Sequence, residues 1–187
     1  MKPFRERIIL KIALLLLLAT IPSACREQPR FDFDFERSAV LDDFRWKCGT
    51  LLRIVPEHAT SGTNSLEVTF FPGASGVDEN YPGFSPAKFN RNWSVYRTLA
   101  FDAFVPGDKA VRLALRIDDR VNPNYEDRFN AAIPLAPGNN HIAIPLANLV
   151  TSGSKDPLNH ENILGVMLFL ANPQEQRTIF FDRIRVE

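Results

Sequence analysis

The sequence predicts an all-β protein, a jelly-roll β-sandwich of about nine strands. From residue 31 onwards, apolar residues recur at every second position in short blocks, as they do in strands with one buried face. Turn sequences rich in Pro, Gly and Asn, such as FPGASG and APGNN, separate the blocks. No long window has the period of an amphipathic helix.

The predicted strands follow one another without a long interruption. In chain order they are 31–35, 51–55, 65–71, 98–105, 111–118, 128–135, 141–146, 163–170 and 178–186. The run 146–150 is predicted as one helical turn. There is no internal repeat and no domain boundary after residue 31, so we expect one domain in this chain of 187 residues.

Two of these strands can be placed in register from their apolar faces. Alternate residues are apolar from Val111 to Ile117, and again from Phe129 to Leu135. An antiparallel pairing that buries both sets places Ile117 opposite Phe129. The remaining residues of both strands must then face away from the core.

The outward face of this pair is predicted to be a polar strip. The register places Asp118 opposite Arg128 and Arg116 opposite Asn130. Such a strip either binds a ligand or is a surface ion-pair network without a function. Loop 119–127 lies at its end, and aromatic rings near it could provide a flat surface for a ligand. The further ligand-binding candidates are Arg120 and Tyr125 of that loop, with Tyr81 and Phe84 of the segment ENYPGFSP.

The first 24 residues have the layout of a secretory signal. Four Lys or Arg residues precede or enter the apolar stretch 12–21, and the small residues Ser23 and Ala24 precede Cys25. The stretch is shorter than the ~20 apolar residues that a membrane-spanning helix needs. The segment resembles the lipoprotein signal of bacteria, which implies a lipid on Cys25 and a place in the cell envelope. Conventional cleavage near Cys25, or an uncleaved anchor, is the alternative.

The charge and the cysteines exclude several classes of protein. The 22 basic and 22 acidic residues balance, and no basic run provides a nucleic-acid footprint. Cleavage before Cys25 would leave a mature chain with a net charge of about −3. Two cysteines without CxxC spacing favour neither a disulfide scaffold nor a zinc site. After lipidation Cys48 would be the remaining thiol, whereas without it a Cys25–Cys48 disulfide becomes possible.

Catalysis has little support in the sequence. His58, His141 and His160 are scattered, and neither an HExxH metal motif nor a GxSxG nucleophile elbow is present. A pairing of Asp118 with Glu126 or Asp127 could in principle supply the acid and base of a glycosidase. We expect a protein that is not an enzyme.

The last predicted strand carries an unusual carboxylate. Phe180, Ile184 and Val186 are predicted to face the core, which turns Asp182 inward with them. A buried carboxylate must be paired, hydrogen-bonded or metal-bound. One possibility is a structural calcium ion shared with Asp34 and Glu36 of the first strand. The other is an Arg or backbone N–H partner for Asp182.

Several strings together resemble a known fold. NWSVYRTLAFDAFVP, VRLALRIDD, YEDRFN, LAPGNNHIAIPLANL and the closing IFFDRIRVE are similar to the galactose-binding-like β-sandwich of non-catalytic carbohydrate-binding modules. They are also similar to the sandwich of the complex I intermediate-associated protein family. The resemblance covers about residues 38–187, after a signal segment at 1–24 and a tether with the first strand at 25–37. In many such modules the terminal-strand Asp, here Asp182, contributes to a calcium site.

This resemblance implies a function. A non-catalytic module would bind a glycan or polysaccharide on the polar strip, and its N-terminal lipid would attach it to the membrane. A protein-interaction or assembly module with the same sandwich is the alternative, for which an exposed apolar patch is expected. A small glycan-active hydrolase would instead need two carboxylates facing each other across a deep pocket.

Overall fold

Eleven β-strands and three short 3₁₀ turns form the part of the chain that the computed structural model describes, residues 30–46, 49–73 and 80–187. The strands are β1 (Asp32–Phe33), β2 (Phe44–Trp46), β3 (Thr50–Val55), β4 (Ser65–Phe70), β5 (Gly83–Pro86), β6 (Thr98–Val105), β7 (Val111–Asp118), β8 (Phe129–Leu135), β9 (Gly138–Pro145), β10 (Gly165–Phe169) and β11 (Arg177–Val186). The turns are Ser38–Asp43, Tyr125–Asp127 and Leu146–Asn148. The third confirms the predicted helical turn. No helix in these ranges is long and apolar enough to cross a membrane.

The strands form two antiparallel sheets, which confirms the predicted β-sandwich. Sheet A has the order β3-β4-β11-β6-β9, and the short strand β1 also pairs with β11. Sheet B has the order β2-β5-β10-β7-β8. All nine predicted strands are present, and β2 and β5 are two strands that the sequence pattern did not indicate.

Aromatic side chains fill much of the space between the sheets. The three phenylalanines of the first predicted strand, Phe31, Phe33 and Phe35, are buried. Phe31 packs edge-on against Trp93, with 4.9 Å between the ring centroids. Phe84 of sheet B meets Phe181 of sheet A at 5.3 Å, so this pair spans the sandwich.

The predicted register of β7 and β8 is confirmed. Ile117 pairs with Phe129, and Arg116 pairs with Asn130. The inward-facing residues of β7, from Val111 to Ile117 at every second position, are buried, whereas Arg116 and Asp118 alternate with them on the opposite face. The alternation therefore holds a polar strip on the outward face of sheet B.

The sequence predicted which side chains of the last strand face the core, and this prediction is wrong for the first half of the strand. Ile179 and Phe181 of β11 are the core residues, and Phe180 is partly exposed on the outer face. A register shift between Asp182 and Arg185, where Arg183 has a φ of 51°, then turns Ile184 and Val186 towards the core. Asp182 is 1% exposed, but it is buried on the outer face of sheet A.

A glycine in β5 allows a close approach of two strands. A Cβ atom at Gly83 would lie 2.5 Å from the carbonyl oxygen of Leu168, in the neighbouring strand β10. We expect Gly83→Ala to lower the free energy of unfolding by about 1–3 kcal/mol because the strands must move apart. Urea denaturation would measure this change. Gly165→Ala is the control, since its Cβ would be 3.4 Å from the nearest atom, and equal losses in the two variants would contradict the argument.

Candidate functional site

The outward face of sheet B carries a row of side chains that crosses all five strands. Arg116 of β7 pairs with Asn130 of β8 on one side and with Met167 of β10 on the other. The register of β10 with β5 continues the row to Ser85, and Ser85 pairs with Arg45 of β2. Because partners in neighbouring strands share a face, these five residues lie side by side.

Two adjoining depressions open along this row. The larger, of about 290 Å³, is lined mainly by Arg45, Ser85, Arg116, Asp118 and Met167. The smaller, of about 150 Å³, is lined mainly by Tyr81, Arg116, Tyr125, Arg128, Asn130 and Met167. They share Arg116 and Met167, and we call the two together the sheet-B groove.

An ion pair forms the middle of the groove. The Nε atom of Arg116 lies 2.8 Å and 3.0 Å from the two carboxylate oxygens of Asp118, and its Nη2 lies 2.8 Å from Oδ2. The side chains are 25% and 15% exposed, so both charges are partly withdrawn from water. This bidentate geometry fixes the orientation of the Arg116 guanidinium.

A second polar cluster forms the floor of the smaller depression. Arg128 donates from Nε to the Asn130 side-chain oxygen at 3.2 Å, and its guanidinium carbon lies 5.5 Å from the centre of the Tyr125 ring. The Asn130 amide nitrogen donates to the Tyr125 carbonyl at 3.0 Å and to the Ser152 hydroxyl at 2.9 Å. Burial and the charge of Arg116 lower the pKa of Arg128.

The two tyrosines present their rings at the edge of the groove. Tyr125 is 63% exposed and Tyr81 is 36% exposed. Tyr81 packs edge-on against Phe169 of β10, with 5.9 Å between the ring centroids. Each ring is therefore in contact with another side chain, and part of its surface is still exposed for contact with a ligand.

The groove brings together most of the predicted ligand-binding residues. Lining side chains that the sequence predicted are Tyr81, Arg116, Asp118, Tyr125, Arg128 and Asn130. Arg45 and Met167 were missed. The signal for Met167 was its place in the predicted strand 163–170, whereas β2, which carries Arg45, was not recognised as a strand.

Two predicted ligand residues have other roles. Phe84 is one of the residues that line the larger depression, but β5 turns its ring into the core, where it is 1% exposed and packs against Phe44 and Phe181. Arg120 lines neither depression. Its Nε donates to the buried carboxylate of Asp119 at 3.2 Å.

The predicted glycosidase pair is not assembled in the groove. Asp118 is the one carboxylate among the described residues that line it, and Arg116 binds that carboxylate. Glu126 and Asp127 belong to the neighbouring 3₁₀ turn and line neither depression. An acid and a base facing each other across the groove are therefore missing from the described residues.

Asp182 has protein partners that explain its burial. Its Oδ2 accepts hydrogen bonds from the backbone N–H groups of Thr60 at 2.7 Å and Ser61 at 2.9 Å. Its Oδ1 accepts the N–H of Arg183 at 2.7 Å. Both carboxylate oxygens thus face N–H donors, the backbone alternative that the sequence left open.

The loop of residues 60–64, which contains two of the N–H donors to Asp182, also binds the Glu36 carboxylate through backbone N–H groups. The Glu36 carboxylate accepts the N–H groups of Thr63 at 2.9 Å and Asn64 at 3.0 Å, and also the Thr63 hydroxyl at 2.8 Å. These hydrogen bonds, with that of Asn64 first, lower the pKa of Glu36. Gly62 has a φ of 65° and lies so close to this carboxylate that a Cβ atom would collide with it.

These contacts do not fit the predicted calcium site. Asp182 and Glu36 accept donors from different residues of the 60–64 loop, and Asp34 accepts the N–H of Glu36 at 3.2 Å. A cation needs convergent oxygen ligands, whereas these oxygens face hydrogens. Among the described residues no group of three or more His, Cys, Asp or Glu side chains could hold a metal ion.

A second buried carboxylate lies beside Asp182. Asp102 of β6 is the register partner of Asp182 and of His141, whose Nδ1 lies 2.6 Å from Asp102 Oδ1. The Thr60 hydroxyl lies 2.7 Å from Asp102 and 3.0 Å from Asp182. Burial raises the pKa of Asp102, but hydrogen bonds from His141 and Thr60 and the charges of His141 and Arg183 outweigh it, so the pKa is lowered.

The predictions for the first 29 residues and for Cys48 lie outside the described residues. This applies to the signal segment and to lipidation of Cys25. It applies equally to the Cys25–Cys48 disulfide.

Comparison with protein-family models gives no match, and comparison with curated proteins gives none. Solved structures do match. The family 11 carbohydrate-binding module from Clostridium thermocellum, in complex with a β-1,3-1,4-mixed-linked tetrasaccharide, has a TM-score of 0.57 and 17% identity, covering 76% of this chain and 86% of the module. A solution structure of CtCBM11 has a TM-score of 0.61 and 17% identity, covering 87% and 96%.

An agarase matches in the same way. The exo-β-agarase has a TM-score of 0.62 and 17% identity, with coverage of 83% of this chain and 24% of the enzyme. The chain thus spans about a quarter of that enzyme's length. At these identities the likeness shows the fold: this chain has the β-sandwich of carbohydrate-binding modules, which confirms the fold that the resemblance implied.

The lowered pKa of Glu36 predicts an acid-dependent contribution to stability. Its carboxylate stabilises the fold above the unfolded-state pKa of ~4, and this contribution is lost as the pH falls through the lower folded-state value. We expect Glu36→Gln to lower the melting temperature near neutral pH, and the difference from the wild type to shrink in acid. Thermal melts across this range would measure it. Glu57→Gln, an exposed position near the same loop, should leave the profile unchanged, and a constant Glu36→Gln effect at every pH would contradict the prediction.

Proposed function

We propose that the sheet-B groove binds a glycan without chemical turnover. The observation that carries the proposal is the groove itself, in which fixed guanidinium and amide groups lie between two partly exposed tyrosine rings. Planar polar groups hydrogen-bond sugar hydroxyls, and an aromatic face packs on the apolar face of a pyranose. The sequence-derived hypothesis of a carbohydrate-binding function therefore has a specific site.

The structural neighbours support a glycan as the ligand class. One of them is a carbohydrate-binding module bound to a mixed-linked tetrasaccharide, and the agarase shares the sandwich over a quarter of its length. The absence of turnover is supported by the charged residues of the groove, where Asp118 is already bound by Arg116 and the described lining offers no second carboxylate.

A glycan fits the exposed surface better than a protein partner does. Among the described residues, Tyr81 and Tyr125 are the exposed large hydrophobic side chains that line the groove. The others do not line it and belong to different segments of the chain, at Leu51, Phe71, Val95 and Val121. A protein-binding surface usually has an apolar core that such scattered side chains do not form.

The tyrosine nearest the Arg128 cluster tests the proposal. We expect the purified protein to bind at least one polysaccharide on an array of neutral and acidic glycans, and Tyr125→Ala to weaken that binding about ten-fold or more. Val121→Ala is the matched control, because Val121 is 78% exposed in the same loop but does not line the groove. Binding measured by isothermal titration that survives Tyr125→Ala unchanged, or an array without any bound glycan, would contradict the proposal.

We also propose that the protein is exported and attached to the cell envelope through a lipid on Cys25. The proposal is supported by the signal-like layout of residues 1–24 and by the small residues before Cys25. It predicts a mature N-terminus at Cys25 that carries a diacylglyceryl group, which mass spectrometry of the protein from its membrane fraction would detect. An N-terminus at another residue, or an unmodified Cys25, would rule the anchor out.

A further inference from the structure

The charged side chains of the sheet-B groove do not balance. Among the described residues, Arg45, Arg116 and Arg128 line the two depressions together with one carboxylate, that of Asp118. These lining residues thus carry an excess of two positive charges, although the chain as a whole has a formal charge of zero. A concave surface with such an excess attracts negatively charged ligands.

The ion pairs of the described residues leave two groove cations, Arg128 and Arg45, without a carboxylate in direct contact. Asp118 is occupied by Arg116 in a bidentate pair. Within the described ranges, neither Arg128 nor Arg45 has a carboxylate within 4.0 Å, and each lines one of the depressions. Arg128 is also partly buried beside Arg116, and both effects lower its pKa. A partly desolvated cation of this kind is stabilised when an anion binds to it.

The contacts of Arg128 hold its guanidinium in one orientation and leave its ends available. Its Nε donates to Asn130, and the Asn130 amide is itself fixed by the Tyr125 carbonyl and the Ser152 hydroxyl. The two terminal nitrogens have no acceptor among the described residues. A planar fork with both terminal N–H groups available matches the two oxygens of a carboxylate or a sulfate.

We propose that the Arg128 end of the sheet-B groove selects a glycan that carries anionic oxygens, either the carboxylate of a uronic acid or the sulfate ester of a sulfated sugar. The inference rests on the proposed glycan-binding function and specifies its ligand class. The anionic group binds the terminal nitrogens of Arg128, and the sugar ring packs on Tyr125. Arg45, at the other end of the row, provides a second positive charge for a further anionic unit of the polymer.

Two matched pairs of polysaccharides test this selection. The first pair is polygalacturonate and its methyl ester, and the second is chemically sulfated agarose and unmodified agarose. We expect the anionic member of at least one pair to bind about ten-fold or more tightly than its neutral partner. The pair that shows the preference distinguishes a carboxylate from a sulfate as the anion.

Variants connect the preference to Arg128. Arg128→Gln should abolish the difference between the members of a pair, and Arg128→Lys should restore part of it because the charge returns without the fork. Arg53→Gln is the control, since Arg53 is an exposed arginine of sheet A that is paired with Glu67. Melting temperatures show whether each variant is folded. If Arg128→Gln does not fold, the wild-type protein is tested instead. Its affinity for the anionic member of a pair must fall when the salt concentration is raised from about 0.05 M to about 0.5 M, because salt screens the attraction between charges.

The experiments give different results when the selection of an anionic glycan is wrong and when glycan binding itself is wrong. Equal binding of neutral and anionic members, or a preference that survives Arg128→Gln, would overturn the selection and leave glycan binding intact. No binding to any member of either pair, together with an array that has no bound glycan, would overturn both.

Discussion

Burial of one face of β7 is the constraint on which the groove depends. Leu113, Leu115 and Ile117 are at most 1% exposed, and each contributes about 1.5–3 kcal/mol through the hydrophobic effect. A register slip of one residue would expose all of them and bury Arg116 and Asp118 instead. The positions of the groove's charges are therefore set by the apolar side chains behind them.

The outer faces of the two sheets both carry charged side chains that are buried or partly buried, and these charges have different kinds of partner. On sheet A, the 60–64 loop covers Asp182 and Asp102 and satisfies them with N–H and O–H donors. On sheet B, Arg116 and Asp118 satisfy each other and line the two depressions that the described residues form. Polar groups on one face thus support the fold, and those on the other can support binding.

The sequence predicted those parts of the structure that depend on local alternation. The register of β7 and β8 followed from two apolar sets of period two, and it placed Arg116, Asp118 and Asn130 correctly. β5 was not predicted as a strand because it is four residues long and follows Pro82. Without that strand, the sequence could not show that Phe84 points into the core. Two partners of Asp182, Thr60 and Ser61, lie more than a hundred residues away in the chain, and no periodicity encodes such a contact.

The position of β11 in sheet A has a consequence for how the chain folds. β11 lies between β4 and β6, although about seventy residues separate the end of β6 from its start. The two strands cannot complete their hydrogen bonding until this distant segment arrives, so folding is slow compared with that of a sheet built from consecutive hairpins. Intermediates without β11 expose the unpaired edges of both strands, and their aggregation competes with closure of the sheet.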